Sequence, residues 1–297
     1  MNAKKLILAF IVFLITISGI SAEEKIPTGS ILWKISGNGL TAPSYILGTH
    51  HIIKKEILDD FKGIDEALSN TDQVVGEIDM DEIASKSSFM QNAVIMPDSI
   101  TYNQFLSEHD YAVLDSNLKA VLHVGLDKLS KLKPVTISFL YLFKIYGKDM
   151  QSEPMDLYFQ QIAKENNKPI IGLETIEDQM QLLYYSTPIE KQILDLLCQT
   201  SNSEYTSKVI GELDDCYSKG DLNSILKFMN DENDPCPDTQ EEKAQVNKDR
   251  NDKWLLKLPS IMAERASFIA VGCMHIAGED GLLWQLKKMG YTVEPVK

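Results

Sequence analysis

The sequence predicts an α/β fold, in which helices pack around a central mixed β-sheet and a large helical insertion is added. Residues 268–271 form a short apolar run rich in β-branched residues, which is typical of a strand buried on both faces. Gly272 can then take the positive φ of a sharp turn, and His275 follows three residues later. The same spacing follows an apolar run near the other end of the chain, as Gly48 and His51. Each histidine would lie just past the carboxyl end of a strand, where open α/β sheets bind ligands.

The first element in chain order is a segment typical of a secretory signal peptide. Lys4 and Lys5 are followed by an apolar stretch at residues 6–17 and by small residues at 19–22, so we expect cleavage to remove residues 1–22. The apolar stretch is short for a membrane span, which favours export over an uncleaved anchor. No later segment is long and apolar enough to cross a bilayer. We therefore expect a periplasmic or secreted protein with no stable membrane span after signal cleavage.

The mature chain, residues 23–297, could form one large domain or two fused halves, and we favour one α/β domain. Its acidity, with a net charge of −14 for the whole chain, leaves no basic stripe to meet phosphates, so nucleic acid is excluded as a partner. Four cysteines are compatible with an oxidising compartment, and they are Cys198, Cys216, Cys236 and Cys273. Because Cys273 lies inside the second glycine–histidine motif, any structural disulfide should join two of the other three.

Strands and helices alternate in the first half of the mature chain. Residues 31–47 predict a β-hairpin with Gly-Asn-Gly at the turn. Apolar residues at helical spacing over 57–68 predict a helix, and residues 73–80 return as a strand that ends near Glu77. Residues 81–150 predict the first helical insertion.

The chain then returns to the sheet before a second helical region. A helix over residues 156–166 leads into a short strand at 170–172, and Glu174 lies at the end of that strand. Residues 176–250 predict the second helical insertion, which includes a loop at 230–239 that is rich in Asp, Asn and Pro.

The last part of the chain surrounds the buried strand. A polar helix over residues 241–258 carries Arg250 and Asn251 and runs up to that strand. After the second motif we expect a helix from residue 279, with two acidic residues in its first turn and two lysines near its end. Residues 291–296 predict one more strand.

Taken in order, these segments resemble the TraB/PrgY/GumN family, whose animal relatives include the Tiki proteases. The resemblance covers about residues 31–296 and is carried by ILWKISG, SYILGTHHI, VVGEIDM, KPIIGLETIEDQM, RND and FIAVGCMHIAGEDGLLWQLKKMGYTV. It implies an α/β fold related to the erythromycin esterase and ChaN-like proteins. For the Tiki branch it also implies a metal-dependent peptidase that uses two GxxH motifs and glutamate. The motif histidines match His51 and His275, and the glutamates match Glu77 and Glu174.

The sequence also departs from the family pattern. Arg250 and Asn251 match a polar pair before the last strands, but His50 stands where the family usually has an apolar or small residue, and Cys273 lies within the second motif. It stays open whether His50 or His51 faces the site. Cys273 has no base identified beside it and is expected to lie in a packed turn rather than to act as a nucleophile.

The residue types themselves suit metal-dependent peptide hydrolysis. This chemistry needs imidazole or carboxylate ligands, an open position for water and a carboxylate that accepts the proton of that water. His51, His275 and Glu174 are preferred as ligands and Glu77 as the base, although the two glutamates can exchange roles. Mn, Co and Zn all accept such mixed ligation.

The predicted function is an exported metal-dependent hydrolase that acts on a peptide or protein substrate. One alternative is a non-catalytic module of the same fold that binds and sequesters a peptide. A second alternative, an esterase-like hydrolase without metal, is disfavoured because the sequence contains no GxSxG nucleophile motif. The oligomeric state is left open.

Overall fold

The computed structural model describes residues 29–51, 53–147 and 153–297. The predicted signal peptide, residues 1–22, lies outside these described residues. Within the described ranges no helix combines the length and the apolar character needed to cross a membrane.

A six-stranded mixed β-sheet lies at the centre, as the sequence predicts. Its strands are β1 (Leu32–Gly37), β2 (Ser44–Thr49), β3 (Gln73–Gly76), β4 (Ile170–Gly172), β5 (Ser267–Gly272) and β6 (Tyr291–Pro295). In space they follow the order β4-β3-β5-β2-β1-β6. The neighbours β4, β3, β5 and β2 run parallel, whereas β1 pairs antiparallel with β2 on one side and with β6 on the other. The predicted hairpin of β1 and β2 is confirmed.

The parallel strands bring four carboxyl ends to one edge of the sheet. Thr49 at the end of β2 pairs with Gly272 at the end of β5, and Gly76 at the end of β3 pairs with Gly172 at the end of β4. All residues of β5 are buried. Because successive side chains of a strand point to opposite faces, both faces of the sheet are covered at β5, which confirms the predicted buried strand.

Helices connect the strands and fill the two regions predicted as helical insertions. In the first half of the chain they are α1 (Ile64–Ser69), α2 (Glu82–Ser85), α3 (Ser87–Ala93), α4 (Glu108–Leu122), α5 (Leu126–Leu129), α6 (Pro134–Ile145) and α7 (Met155–Glu165). In the second half they are α8 (Ile176–Tyr185), α9 (Ile189–Ser201), α10 (Ser203–Ser218), α11 (Leu222–Met229), α12 (Gln240–Val246), α13 (Lys248–Leu255), α14 (Leu258–Glu264), α15 (Cys273–Ile276) and α16 (Leu282–Lys288). Short 3-10 helices lie at Lys55–Asp60 and Tyr102–Gln104.

Three predicted helices differ from the observed ones. The helix expected over residues 57–68 is divided into a 3-10 helix and α1, because Gly63 between them adopts a φ of +83°. The polar helix expected over residues 241–258 is divided into α12, α13 and α14, with one break at Asn247. The helix expected from residue 279 begins only at Leu282. The chain first forms the short helix α15 and then changes direction at Gly278, which has a left-handed conformation.

The apolar side chains form a core on the sheet and a second core among helices. The first includes Phe268 of β5, Phe159 of α7 and Trp254 of α13. The second lies between α4, α6 and α9 and includes Leu114, Leu118, Ile137, Tyr141, Ile193 and Leu196. Residues from both predicted insertions therefore pack together and bury a core of their own.

One disulfide joins Cys198 of α9 to Cys236, which confirms that the bond uses two of the three cysteines outside the second motif. Cys216 and Cys273 are free thiols. Burial raises the pKa of Cys273 to about 12. The thiol is therefore protonated at neutral pH, as expected of a packed residue rather than a nucleophile.

Candidate functional site

The four residues that the motifs identify meet at the carboxyl edge of the sheet. Each follows the end of a different strand: His51 follows β2, Glu77 follows β3, Glu174 follows β4 and His275 follows β5. Arg250 on α13 donates hydrogen bonds to three of these four side chains. Residues from five separate parts of the chain thus form one polar cluster.

Glu77 lies at the centre of this cluster. Its Oε1 atom is 3.9 Å from Nε2 of His51 and 3.9 Å from Nε2 of His275. The backbone N–H of Gly272 donates to the same oxygen at 2.9 Å, and Gln179 donates to Oε2 at 3.1 Å. Burial raises the pKa of Glu77, but the neighbouring imidazoles and guanidinium, with the Gly272 hydrogen bond, outweigh burial and lower the pKa to about 2. The carboxylate is therefore ionised at physiological pH.

Of the two adjacent histidines, His51 faces the site and His50 points away from it. Nδ1 of His51 lies 2.8 Å from Oδ2 of Asp156, so the proton on Nδ1 is donated there and Nε2 faces Glu77. His50 instead packs edge-on against Tyr217, with 5.3 Å between the ring centroids. The structure thus answers the question that the two adjacent imidazoles left open.

The environment of His51 favours its charged form in the ion-free protein. Burial lowers the pKa of His51, but the carboxylates of Asp156 and Glu77 have the larger combined effect and raise the pKa to about 9. The side chain is 57% exposed. The raised pKa of His51 is therefore caused by the two carboxylates.

His275 is held from the other side by α13. Its Nδ1 atom lies 2.8 Å from Oδ1 of Asn251, a fully buried amide, and its ring packs against Trp254 with 4.5 Å between centroids. Its Nε2 atom accepts from Nη1 of Arg250 at 2.9 Å. Burial lowers the pKa of His275 to about 4, so this imidazole is neutral at pH 7.

Arg250 joins the two carboxylates. Its Nη2 donates to Oε2 of Glu77 and to Oε1 of Glu174 at 2.6 Å each, and its Nε donates to Oε2 of Glu174 at 3.1 Å. This fork-to-fork pairing is a strong arrangement of guanidinium and carboxylate. Both oxygens of Glu174 are thus engaged by Arg250, whereas one oxygen of Glu77 faces both imidazoles.

The motif glycines are needed for space and not for a positive φ. Gly272 has a φ of −50°, so the expected left-handed turn is wrong. A Cβ atom on Gly272 would lie 3.1 Å from Nε2 of His51 and 3.2 Å from Oε1 of Glu77. A Cβ atom on Gly48 would lie 3.0 Å from the Cα atom of Cys273. Gly272 therefore keeps the centre of the site open, and Gly48 allows β2 to approach the turn after β5.

Two polar residues of the site were missed in the sequence. Asp156 lies in the first turn of α7, where acidic residues are common because they interact favourably with the helix dipole. Its position therefore gives no separate sign of a role in the site. Gln179 lies on α8 within the segment that carries Glu174, and its place in that segment was the only available signal.

The donor set suits a divalent metal, although the side chains are not closed around one. In the described part of the chain, no group of three or more His, Cys, Asp or Glu side chains is arranged so that it could hold a metal ion as it stands. His51 and His275 each place Nε2 at 3.9 Å from Oε1 of Glu77, whereas tetrahedral ligands with bonds of about 2.1 Å lie about 3.4 Å apart. The ligand atoms would have to approach by roughly half an ångström, and Arg250 would have to release His275. Each imidazole already donates Nδ1–H to a fixed acceptor, as metal-bound histidines usually do.

Comparisons with known proteins agree with the sequence motifs. The model of the TraB/PrgY/gumN family matches residues 31–295, which is most of the chain. No curated protein and no solved structure gives a significant match. The α/β fold is therefore established by the sheet and its helices, and the expected relation to the erythromycin esterase and ChaN-like fold stays a prediction.

Proposed function

This chain belongs to the TraB/PrgY/gumN family, and we propose that it is a metal-dependent hydrolase whose ion is held by His51, His275 and Glu77. One observation carries the proposal: Nε2 of each imidazole lies 3.9 Å from the same oxygen of Glu77. Both imidazoles donate Nδ1–H to residues outside this group. Their Nε2 atoms are therefore directed into the site, and Nε2 of His51 must give up its proton when a metal binds.

The geometry supports Glu77 as the ligand and Glu174 as the base, the reverse of the roles preferred from the sequence. A carboxylate with a pKa lowered to about 2 is ionised and ready to bind a cation. It is a weak base, because an efficient general base has a pKa near the working pH. Glu174 is the other carboxylate of the site, and its two bonds to Arg250 fix its orientation.

The protein's residues would then divide the work of hydrolysis. When bound, a divalent metal lowers the pKa of a coordinated water and polarises a carbonyl group. Asp156 and Asn251 would orient the two imidazoles, and a carboxylate oxygen of Glu174 would accept the proton that the attacking water gives up. Mn, Co and Zn all suit the donor set. A peptide or protein is the proposed substrate, because the Tiki branch of the family is expected to cleave peptide bonds.

The test is to measure metal content and peptide cleavage in the mature protein, residues 23–297, before and after chelation. A mixture of quenched fluorescent peptides serves as substrate. We expect a bound ion, loss of cleavage on chelation and recovery with Mn, Co or Zn. His275→Ala should lose both ion and cleavage, whereas His109→Ala, a change of an exposed histidine on α4, should lose neither. A wild-type protein that binds none of the three metals would contradict the proposal.

A second candidate function is a non-catalytic module that binds a peptide. The contacts of Arg250 favour it, because the guanidinium already bonds to both carboxylates and to Nε2 of His275. A site neutralised in this way is complete without a metal. Peptide binding that is indifferent to chelation, with no cleavage by any metal-loaded form, would favour this function over hydrolysis.

Export is proposed from the sequence of the first residues. The basic, apolar and small-residue regions at residues 4–22 fit a cleaved signal, and a bacterial periplasm is the simplest destination. Mass spectrometry of the protein from its native host should find a chain that starts near Ala22 or Glu23. An intact segment of residues 1–22 would contradict this proposal.

A further inference from the structure

Asp156 reaches the candidate site through two hydrogen bonds. Its Oδ2 atom is 2.8 Å from Nδ1 of His51, and its Oδ1 atom accepts from Oγ1 of Thr49 at 2.9 Å. Thr49 is the last residue of β2 and is only 1% exposed, so it is a fixed point of the sheet. The carboxylate is therefore oriented by the strand at one oxygen and can orient the imidazole with the other.

His51 needs such support more than His275 does. The ring of His275 is buried against Trp254, whereas the side chain of His51 is 57% exposed. The outer torsion of a histidine side chain has broad energy wells, so packing alone would not hold an exposed ring in one orientation. A hydrogen bond to Nδ1 fixes both the ring orientation and the nitrogen that carries the proton.

The helix that carries Asp156 is itself tied to the segment after Glu77. Gln160 accepts the backbone N–H of Met80 at 2.9 Å and donates to the backbone oxygen of Ile78 at 2.8 Å. Asp156 and Gln160 are four residues apart and so lie on the same face of α7. One face of one helix therefore contacts the strand ends that deliver His51 and Glu77.

We infer that Asp156 is a positioning residue that selects the Nδ1–H form of His51 and so directs its Nε2 atom at Glu77. Asn251 has the corresponding contact with His275, but it is a neutral amide. The carboxylate makes His51 the more electron-rich of the two imidazoles, and outer-sphere partners of this kind increase metal affinity. The consequence for metal binding rests on the proposed function, whereas the proton position on His51 is a property of the ion-free protein.

The experiment has two readouts on the mature protein. The first is nitrogen-detected NMR of the histidine side chains in the ion-free protein, recorded at a pH where the spectrum itself shows a neutral His51 ring. Wild type should show the proton on Nδ1, and Asp156→Ala should shift it toward Nε2. Asp156→Asn should keep it on Nδ1, because the amide oxygen still accepts.

The second readout is the affinity for Mn, Co and Zn, each measured against a coloured chelator. Asp156→Ala should weaken the affinity by about 10-fold to 100-fold, and Asp156→Asn by less, because the asparagine keeps the hydrogen bond but loses the charge. Glu165→Ala removes an exposed carboxylate from the same helix and should change neither readout.

An unchanged proton position on His51 in Asp156→Ala would overturn the inference, whatever the metals do. An equal effect of Glu165→Ala would also overturn it, because the cause would then be a damaged helix. If the proton moves as expected but wild type binds none of the three metals, the positioning role stands and the proposed function fails.

Discussion

Gly272 shows at the scale of one residue how the site stays open. Its N–H donates to Oε1 of Glu77 at 2.9 Å, and the absent side chain leaves room between Glu77 and His51. The backbone angles of Gly272, φ −50° and ψ 136°, are accessible to any L-residue. Space and a hydrogen bond therefore explain this glycine, and backbone strain does not.

We expect Gly272→Ala to fold but to bind metal about tenfold more weakly, in the range found when groups around metal ligands are altered. The new Cβ would lie 3.1 Å from Nε2 of His51 and force the ring away. Chelator competition measures the affinity, and urea denaturation measures stability. Gly211→Ala is the control, because a Cβ there meets nothing within 4 Å. Equal metal affinity of Gly272→Ala and wild type would contradict this account of the glycine.

The two glutamates should separate ligand from base. Glu77→Gln removes the oxygen anion that faces both imidazoles and should lose metal and turnover together. Glu174→Gln should keep metal within a few-fold and lower turnover by about 100-fold or more, the usual contribution of a general base. Metal content by mass spectrometry and initial rates with saturating metal are the measurements. The opposite pattern would restore the roles first preferred from the sequence.

At the scale of elements, α13 organises one side of the site. Arg250, Asn251 and Trp254 lie within one turn of this helix, and each contacts His275. The guanidinium also lies over the ring of Trp254, 4.8 Å from its centroid. The helix α13 begins after the break at Asn247. The side chain of Asn247 donates to the backbone oxygen of Met274 at 2.9 Å, so the start of α13 is bonded to the second motif.

Replacing Arg250 should destabilise the ion-free protein and strengthen metal binding. Arg250→Met leaves the buried carboxylate of Glu77 and the partly buried carboxylate of Glu174 without their cation, and breaking a buried ion pair typically costs about 3 kcal/mol or more. It also removes the competitor for Nε2 of His275 and a nearby positive charge, so metal affinity should rise by about tenfold. Urea denaturation with and without metal tests both effects. The control is Lys253→Met, on the exposed face of α13, which should change neither the stability nor the metal affinity. Weaker metal binding by Arg250→Met would contradict the role given to the guanidinium.

The sequence predicted the strands of the site more reliably than its helices. Strand β5 and the β1–β2 hairpin were predicted because buried strands and glycine turns leave local patterns. The break at Asn247 was missed because the residues on both sides of it favour a helix. Asp156 was missed because its partner His51 lies 105 positions away, and no local pattern reports a contact between distant segments.

At the scale of the whole molecule, the parallel sheet explains why four distant motifs converge. The ends of β2, β3, β4 and β5 lie at one edge, and each is followed by a residue of the cluster. Sequence alone could propose that His51 and His275 meet, because each follows a strand. It could not assign the contact between Arg250 and Glu174, since that depends on where α13 packs.

The ion-free protein should be most stable near pH 6.5. The pKa of His275 is lowered from 6.5 to about 4. Between these two values the imidazole is neutral in the folded protein but protonated in the unfolded chain, so the folded state loses stability as the pH decreases from 6.5 to 4. Glu77, lowered from 4.5 to about 2, acts in the same direction at lower pH. His51, raised from 6.5 to about 9, keeps a proton that the unfolded chain loses, so its contribution is complete below 6.5 and lost as pH rises through 9.

Urea denaturation of the chelated protein at a series of pH values measures this profile. His51→Gln should flatten the loss of stability between pH 6.5 and 9. It should also reduce the loss below pH 4.5, because the charge on His51 helps to lower the pKa of Glu77. If this variant lost stability above pH 6.5 as steeply as wild type, groups other than His51 would be the cause of that loss.

Anomalous diffraction can show directly whether His51, His275 and Glu77 hold a metal, if crystals of the mature protein are grown with Mn, Co or Zn and data are recorded at the absorption edge of each metal. We expect a peak about 2 Å from Nε2 of His51, Nε2 of His275 and Oε1 of Glu77, with Arg250 withdrawn from His275. Crystals that bind the metal elsewhere, while Arg250 still donates to His275 and Glu77, would contradict this expectation.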